Sequence, residues 1–597
     1  MKKNLIFFAI LTLFLASCGQ PTFDEKSWIR INQLGYQPDA KKVAVFISRG
    51  DDAPTKFTLC DSATSKEVKT FKSVTNTGAW SGFTQSVRLD FSELTEDGTY
   101  YIQAGNIKSP VFKINKNVYD GTADFLLKYM RQQRCGFNPY LNDHCHTGDG
   151  FIVYHPTLNG KHMDATGGWH DASDYLQYVA TSANAVFQML LAYKYHPEAF
   201  GDQYQANGRP GANGIPDILD EAKWGMDWLV KMNPEKDMMF NQLADDRDHR
   251  GYRLPTLDTV DYGKGPGKSR PVYYCTGEPQ GLMGNMNRAT GIASTAGKYA
   301  SAFAFGSQLL KDYYPKYAEM IAQKAIDAYN YGVLNPGACQ TAPCSSPYFY
   351  EEDNWVDDME LAAAQLALMT GDTNKYIAEA AEFGRQEPIT PWMGADTARH
   401  YQWYPFMNAG HYLLAMADDR DVSEVFKANM KAGIDAVYNK GKNTPFLNGI
   451  PFIWCSNNLT TAMLTHIDLY KKATGDSSYD YMEAALRDWV FGCNPWGTSM
   501  VVGLPSWGDT PIDPHSAFTS VYSYPIDGGL VDGPVYSAIF NGLRGVYLKN
   551  GDAYEDVQPE RMVYHDDNAD YSTNEPTMDG TACLTYYLSA MEARGKR

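Results

Sequence analysis

The hydrophobic pattern of the sequence changes near Val118, and this change divides the chain into two folds. Residues 28–115 carry short runs of alternating apolar and polar residues, separated by turn signals such as Asp97-Gly98. This alternation predicts a small all-β sandwich. From Val118 onward, apolar residues recur with helical period in about a dozen long segments, with little strand signal. The helical part, 116–597, is predicted to form an α/α barrel or toroid.

Long loops rich in glycine, proline and aromatic residues separate the helical segments. The longest are 235–291, 333–356 and 494–533, and an α/α barrel would gather them around one open face. A repeat of short fixed period is missing from the sequence, which argues against a solenoid. The segments with helical period are 119–133, 175–195, 217–232, 292–311, 315–331, 357–370, 373–384, 422–438, 458–474, 477–491 and 575–593.

The N-terminus has the layout of an export signal. Two lysines precede an apolar run over 5–15, which is too short to remain in a bilayer as a spanning helix. The following Leu-Ala-Ser-Cys resembles a bacterial lipobox, in which Cys18 is lipidated and becomes the mature N-terminus. We expect a lipoprotein signal at 1–18, a tether at 19–27 and a bacterial cell-envelope protein anchored to a membrane through Cys18. A simple cleaved signal is the alternative.

Charge and composition narrow the class of ligand. The net charge of −18 argues against a nucleic-acid partner, because phosphate binding needs clustered lysine and arginine. The 41 tyrosines and 12 tryptophans suit flat ligands with apolar faces and polar rims, such as sugar rings. Nine cysteines remain after Cys18, and this odd number argues against a complete disulfide framework. Cys339 and Cys344 are near enough in sequence to form one bridge.

The stretch Gly167–Tyr175, Gly-Gly-Trp-His-Asp-Ala-Ser-Asp-Tyr, holds two carboxylates three positions apart. Residues three apart on a helical turn share a face, so Asp171 and Asp174 are expected to point at one small volume. Such a pair over a water molecule makes the base of a hydrolase, provided that an acid lies opposite. The alternative is a solvated helix start, where aspartate is a common N-cap.

A candidate for the opposing acid lies near the C-terminus. Residues 564–575 concentrate acidic and aromatic side chains just before the last helical segment, and Glu575 ends the stretch. Neighbouring acids can keep such a glutamate partly protonated, as a general acid requires. In the alternative, the helix dipole keeps Glu575 ionised.

These motifs resemble those of glycoside hydrolase family 9, the inverting endoglucanases, in the branch with an N-terminal immunoglobulin-like module. Ile29–Pro38 resembles the opening of that module, and Gly167–Tyr175 is similar to the family's Gly-Gly-Trp-x-Asp-Ala-Gly-Asp, with Ser173 replacing a glycine. Trp454–Asn457 resembles its Trp-Gly-Ser-Asn, and Tyr564–Thr577 fits its acid-bearing signature. The resemblance covers nearly the whole chain after the signal.

The resemblance implies a fold and a catalytic role for each of three acidic residues. It implies an immunoglobulin-like sandwich over 28–115, followed by an all-α (α/α)6 barrel. Asp174 would be the general base, and Asp171 would help to hold the nucleophilic water. Glu575 would be the general acid that protonates the departing glycosidic oxygen.

Three further residues are expected to contact substrate. His515 stands in the family's Pro-His-x-Arg, where Ala517 replaces the arginine, so substrate preference is expected to differ. Tyr571 belongs to the acid-bearing signature. Trp169 adjoins the catalytic stretch and is expected to stack on a sugar ring. The alternatives are that His515 is an ordinary core or surface histidine and that Trp169 is a core residue.

Four residues have the chemistry of a zinc site. Cys135, Cys145, His146 and His170 supply two thiolates and two imidazoles, which is a usual tetrahedral shell for a structural zinc ion. Some family members with the N-terminal module carry zinc at matching positions, and by that resemblance His170 would anchor the loop that bears the two aspartates. Competing ligands are the histidines at 144 and 162, and the alternative is buried thiols beside unrelated histidines.

Calcium is a weaker expectation. Asp357-Asp358 resembles a calcium element of the family, and carboxylates suit that ion. The later aspartate that this element needs near Trp403 is missing. The two acids would otherwise simply cap a helix.

Together these features predict an exported, lipid-anchored, monomeric enzyme that cleaves β-1,4-glucosidic bonds by inversion. The predicted substrate is a β-glucan of the cellulose, mixed-linkage or xyloglucan type. One alternative is an exo-acting β-glucosidase or glucosaminidase of the same fold. The other is a carbohydrate-binding lipoprotein with a dead site, which the survival of all three candidate acids disfavours.

Overall fold

The computed structural model of the protein describes residues 21–347, 350–394 and 407–596. The predicted signal, with Cys18, therefore lies outside the described residues. None of the described helices is both long enough and apolar enough to cross a membrane.

The N-terminal module is a sandwich of two antiparallel sheets, as the alternating pattern predicts. One sheet has the strand order β1-β2-β6-β5 and the other β4-β3-β7-β8, with β9 also paired to β7. Inward-facing side chains such as Phe46, Leu59 and Ile102 are fully buried between the sheets. The strands are β1 Ser27–Arg30, β2 Val43–Ser48, β3 Phe57–Asp61, β4 Glu67–Phe71, β5 Val74–Asn76, β6 Gln85–Asp90, β7 Gly98–Ala104, β8 Ile107–Lys108 and β9 Phe112–Ile114.

The tether prediction is wrong from Phe23 onward. The Phe23 ring is buried and meets the Phe46 ring edge-on at 5.3 Å. The backbone amide of Phe23 donates to Oδ1 of Asn106 at 2.6 Å. The chain is thus docked on the sandwich before β1 begins, because a large aromatic side chain gains more by burial than by exposure on a linker.

The sandwich is joined to the helical domain through the loop after β1. Asn32 Nδ2 donates to Oδ1 of Asp488 at 2.8 Å, and the amide of Gln33 donates to the carbonyl of Phe491 at 2.9 Å. Asn32 and Asp488 are both buried. These buried contacts fix the sandwich to the helical domain.

The helical domain is a double ring of helices. In the described part of the chain, six helices (α2, α4, α6, α9, α11 and α15) form a closed inner ring, and α1, α3, α5, α7, α10 and α12 pack outside it. The helices are α1 Thr122–Gln132, α2 Val179–Tyr195, α3 Asp217–Met232, α4 Ala293–Leu310, α5 Pro315–Leu334, α6 Val356–Thr370, α7 Thr373–Gly384, α8 Pro391–Gly394, α9 Ala409–Ala415, α10 Arg420–Gly441, α11 Ser456–Thr474, α12 Asp480–Val490, α13 Ala517–Ser520, α14 Ser537–Gly542 and α15 Met578–Gly595.

Composition explains which helix lies in which ring. Nearly every residue of α4 and α15 is buried, and most of their residues are apolar or small, with buried charged exceptions such as Lys298 and Asp579. Outer helix α10 instead buries one stripe that includes Phe426, Met430 and Val437. The predicted (α/α)6 barrel is confirmed.

A small sheet and the long loops cover one end of the barrel. Four short strands pair in the order β12-β15-β14-β13 and hold the segment before α2 against two stretches of the 235–291 loop. The short strands of the helical domain are β10 Gly136–Asn138, β11 Asp143–Cys145, β12 Phe151–Val153, β13 Gln177–Tyr178, β14 Phe240–Leu243, β15 Pro271–Tyr274, β16 Val535–Tyr536 and β17 Met562–Val563.

The cysteines of the described residues are all free and buried. A bridge between Cys339 and Cys344 is therefore absent from the described structure. Cys339 instead accepts a hydrogen bond from Asn241 Nδ2 at 3.3 Å.

Candidate active site

A cleft with a cavity of about 660 Å³ opens at the loop-covered end of the barrel. Its walls come from all three predicted long loops, from the 167–175 stretch and from the 564–577 stretch. Asp171, Asp174 and Glu575 all line it. The fold thus brings the two aspartates of the first third of the chain and the glutamate near its C-terminus into one cleft, as the sequence predicts.

The two aspartates lie on a bend, and the prediction of a helical turn is wrong. The helix that follows begins only at Val179. The amide of Asp171 donates to the carbonyl of Leu176 at 3.0 Å, and the amide of Leu176 donates to Oδ1 of Asp174 at 3.2 Å. This closed turn, rather than helical spacing, directs both carboxylates into the cleft.

Asp171 is the more deeply buried of the pair. It is 4% exposed, and its Oδ2 accepts a hydrogen bond from the hydroxyl of Tyr350. Burial raises the pKa of Asp171 well above its ordinary value, and the nearby charges of Asp579 and Asp174 raise it further. This direction favours the neutral form of Asp171, and the Tyr350 hydroxyl fixes the orientation of its carboxyl group.

Asp174 has a basic partner that sequence reasoning missed. Nε2 of His249 lies 2.9 Å from Oδ2 of Asp174. Burial lowers the pKa of His249, but the hydrogen bond and charge of Asp174 outweigh it and raise the pKa to about 9. An imidazolium at this position stabilises ionised Asp174 and so suits a general base.

Glu575 is held by the residue that precedes the base. The amide of Ser173 donates to Oε1 of Glu575 at 3.0 Å, and the Ser173 hydroxyl donates to the same oxygen. Burial raises the pKa of Glu575, His515 lowers it and Asp174 raises it, with a net upward shift. The direction suits a general acid, and it opposes the alternative in which the helix dipole keeps Glu575 ionised.

His515 and Tyr571 lie in the cleft together, as expected. Nδ1 of His515 lies 2.6 Å from both the Tyr252 hydroxyl and the carbonyl of Asn568. The ring centroids of His515 and Tyr571 are 6.0 Å apart, and those of Trp454 and Tyr571 are 5.9 Å apart. These rings form an aromatic wall next to Glu575.

Trp169 does not face the cleft, and its predicted role in stacking on sugar is wrong. The side chain is fully buried, and its indole Nε1 donates to Oε1 of Glu221 at 2.7 Å. The ring lies against Gly225 of α3, where a Cβ atom would come within 2.0 Å of it. Trp169 therefore packs the loop onto α3, and the glycine makes the space for it.

The four predicted metal ligands converge. The ligand atoms of Cys135, Cys145, His146 and His170 all lie within 4.8 Å of one another. Nδ1 of His146 is 3.3 Å from Nε2 of His170 and 3.7 Å from Sγ of Cys135. The competing histidines at 144 and 162 are exposed and outside this set. The described residues thus hold a candidate metal site.

The backbone around this set is tied to the catalytic loop. The amide of Cys135 donates to the carbonyl of Gly168 at 2.9 Å, and the amide of His170 donates to the carbonyl of Gln133 at 2.8 Å. Nε2 of His146 lies 3.0 Å from Oδ2 of Asp258. A carboxylate behind a ligating imidazole fixes the ring and raises its basicity, which is the usual arrangement around bound metals.

The predicted calcium pair has other partners. Oδ1 of Asp358 lies 2.7 Å from the buried ammonium of Lys298, which also contacts Glu352. Oδ1 of Asp357 accepts a hydrogen bond from Asn354 Nδ2 at 3.0 Å. Lysine supplies the positive charge at this position, so the structure gives the calcium prediction no support. Trp403 lies outside the described residues.

Comparison with known proteins agrees with this geometry. The model of glycosyl hydrolase family 9 matches residues 119–588, and that of the cellulase N-terminal ig-like domain matches residues 24–109. Endoglucanase D of Acetivibrio thermocellus is 26% identical over 567 residues, covering 86% of this chain and 78% of the relative. The xyloglucan-specific endo-beta-1,4-glucanase of Bacteroides ovatus is 25% identical over 627 residues, covering 99% and 98%. The crystal structure of a metagenome-derived glycoside hydrolase family 9 endoglucanase superposes with a TM-score of 0.74 at 25% identity, covering 95% of this chain and 99% of that one.

Proposed function

This chain belongs to glycosyl hydrolase family 9 and is a β-1,4-glucan hydrolase of the endoglucanase type, and we propose that it works by inversion with Asp174 as base and Glu575 as acid. One observation carries the assignment. Both carboxyl groups line one cleft, where Glu575 has a raised pKa and Asp174 is paired with His249, whose pKa of about 9 keeps it cationic at neutral pH.

The proton balance follows from these environments. Asp174 removes a proton from a water molecule whose oxygen attacks the anomeric carbon. Glu575 gives its proton to the departing glycosidic oxygen as that bond breaks. One proton thus enters the enzyme at Asp174 and one leaves at Glu575 in each turnover. Asp171, fixed by Tyr350, holds the water between the base and the sugar.

The aromatic wall supports a sugar-binding role for the neighbouring residues. Trp454 and Tyr571 present ring faces on which the apolar C–H face of a glucosyl unit can stack. His515 is placed to hydrogen-bond a sugar hydroxyl. With Ala517 in place of an arginine, that contact has no guanidinium beside it, so recognition there relies on the imidazole.

The proposed substrate is a plant-type β-glucan, such as a cellulose fragment, mixed-linkage glucan or xyloglucan. Support for xyloglucan comes from the named specificity of the Bacteroides ovatus relative, which matches almost the whole chain. We propose action within the chain rather than only at its ends.

We also propose that Cys135, Cys145, His146 and His170 hold a structural zinc ion. With Zn–S near 2.3 Å and Zn–N near 2.0 Å, the edges of a tetrahedral site are about 3.3–3.8 Å. Nδ1 of His146 lies 3.3 Å from Nε2 of His170 and 3.7 Å from Sγ of Cys135, and Sγ of Cys145 lies 4.0 Å from Nε2 of His170. Four protein ligands leave no open position, so the ion would stabilise the loop bearing Asp171 rather than take part in the chemistry.

We further propose that the protein is exported and lipidated at Cys18. The lysines, the apolar run and the lipobox-like sequence support an enzyme held at a bacterial cell membrane. Labelling of the full chain by a radioactive fatty acid, lost in Cys18→Ala, would support this location. An unlabelled wild-type chain would contradict it.

A product profile over a polysaccharide panel tests the enzymatic proposal. Wild type is expected to release mixed oligosaccharides from a β-1,4-glucan, whereas Asp174→Ala and Glu575→Gln each lower kcat by about a thousandfold with unchanged thermal unfolding. Asp527→Asn, outside the cleft in an exposed pair with Lys128, is the matched control. Release of only terminal sugars would indicate exo action, and near-wild-type turnover in either variant would reassign the roles.

A further inference from the structure

A short segment at the edge of the cleft contributes side chains that the reaction described above does not use. It follows α14, and its residues Gly545, Tyr547 and Lys549 all line the cleft, whereas the two residues between them do not. Because successive side chains of an extended chain point in opposite directions, this alternation turns one face of the segment toward the cleft. Residues 545–549 therefore form a rim segment.

Both ends of the rim segment are attached to the stretch that carries the general acid. The hydroxyl of Tyr571 lies 3.5 Å from the carbonyl of Arg544, which immediately precedes the segment. The amide of Asn550, which immediately follows it, donates to Oδ2 of Asp567 at 2.9 Å. These contacts hold the rim segment against the wall of the cleft.

Lys549 places an ammonium group close to His515. Its Nζ donates to Oδ1 of Asn568 at 3.2 Å, and the carbonyl of the same asparagine lies 2.6 Å from Nδ1 of His515. Two other basic residues of the cleft, His249 and Arg253, are paired with aspartates, whereas Lys549 forms no ion pair with a described residue. An ammonium group carries three N–H donors. Donors of Lys549 therefore remain for a ligand in the cleft.

Tyr547 presents an uncovered ring at the edge of the cleft. The residue is 69% exposed, and its ring contacts no other ring or cation among the described residues. Trp454 and Tyr571, by contrast, are half-buried and contact each other. An exposed aromatic face in a cleft suits a ligand with an apolar face of its own, and the C–H face of a glucosyl unit is such a surface.

We propose that the rim segment is a substrate-binding element, in which Tyr547 stacks on one sugar unit of a bound β-1,4-glucan and Lys549 donates to a hydroxyl of the same chain near His515. The expected partner of the ammonium group is a neutral hydroxyl, because the several carboxylates of the cleft would repel an acidic sugar. A charged donor gives a stronger hydrogen bond than a neutral one. The proposal rests on the assignment of the cleft as a β-1,4-glucan hydrolase site.

Binding of cellohexaose in the Glu575→Gln background tests both contacts. Calorimetry is expected to give an affinity about tenfold lower after Tyr547→Ala, which removes the ring, and about five- to tenfold lower after Lys549→Met, which removes the donors but keeps the length. Tyr547→Phe keeps the ring and Lys549→Arg keeps the charged donor, so both should bind like the Glu575→Gln parent. Lys128→Met, in an exposed ion pair outside the cleft, is the matched control.

Turnover separates a role in binding from a purely structural one. With Glu575 intact, Tyr547→Ala and Lys549→Met should each raise KM for cellohexaose, with kcat and the thermal unfolding temperature close to wild type. An affinity equal to that of the parent in either variant, or a fall in kcat with unchanged KM, would overturn the proposal. If wild type hydrolyses cellohexaose, that result would sink this inference alone, whereas wild type that leaves cellohexaose intact would count against the hydrolase assignment.

Discussion

The amide of Ser173 donates a 3.0 Å hydrogen bond to Oε1 of Glu575, and the next residue along the chain is Asp174. The proposed acid is therefore held by the peptide unit that leads directly into the proposed base. Their separation is set by one short backbone turn rather than by the packing of distant helices. This contact ties together two residues that lie near opposite ends of the barrel sequence.

Removing the Ser173 hydroxyl should move the alkaline limb of the pH–rate profile. Hydrogen bonds from Ser173 favour the ionised form of Glu575 and lower its pKa, against the raising effect of burial. In Ser173→Ala the pKa of Glu575 rises further, so the acid stays protonated to higher pH. The alkaline limb of the kcat/KM profile therefore moves to higher pH. A limb that stays in place or moves to lower pH would show that Ser173 does not hold the acid.

Replacing His249 by glutamine should weaken the base. The side chain keeps a hydrogen-bond donor but loses the positive charge next to Asp174, so kcat should fall by about ten- to a hundredfold. A His249→Gln enzyme with wild-type kcat would place His249 outside the reaction.

Metal analysis should find one zinc ion per chain. Chelation, or Cys145→Ser, is expected to lower the thermal unfolding temperature and to reduce activity, because the candidate site is tied by backbone hydrogen bonds to the loop bearing Asp171. Cys60→Ser is the matched control, since that free thiol is buried in β3 of the sandwich, away from the four ligands. Purified protein without bound zinc, and without response to chelation, would remove the zinc proposal.

Trp169→Ala should act on stability rather than on sugar binding. The change empties a buried site and removes the donor to Glu221, which predicts a loss of about 3–5 kcal/mol in unfolding free energy. Trp169→Phe fills much of the same space and should cost less. A raised KM with unchanged stability in the alanine variant would restore the stacking role that the structure rejects.

Much of the architecture could be predicted from the sequence because the spacing of apolar residues determines which segments form helices or strands. Inner helices such as α4 and α15 are buried on all sides and mostly apolar or small, and outer helices such as α10 carry a single apolar stripe. The inner helix α9 could not be predicted in this way. It spans only Ala409–Ala415, which is too short for a helical period to be recognised.

Side-chain direction was the part that sequence spacing did not determine. Asp171 and Asp174 do share a space, but a bend closed by Leu176 brings them together, not a helical turn. Trp169 adjoins the same bend and points the other way, toward Gly225 of α3. Only the tertiary packing decides which side of a loop faces a cleft.

The partners of the catalytic groups were missed for a related reason. His249 and Tyr350 lie in two different long loops, where spacing carries no information about which side chain meets Asp174 or Asp171. The substitution of Ser173 for a family glycine was the one available signal. A hydroxyl newly placed next to the base could have indicated a contact with the acid.

The anomeric configuration of the first product tests the central claim most directly. Proton NMR during hydrolysis of a soluble β-1,4-gluco-oligosaccharide is predicted to show the α-anomer forming first, with the β-anomer appearing later by mutarotation. That order requires water to attack from the side opposite the departing oxygen, with Asp174 behind the water and Glu575 at the leaving group. If the β-anomer formed first, the reaction would proceed with retention, and the assignment of Asp174 as base and Glu575 as acid across a single water would be contradicted.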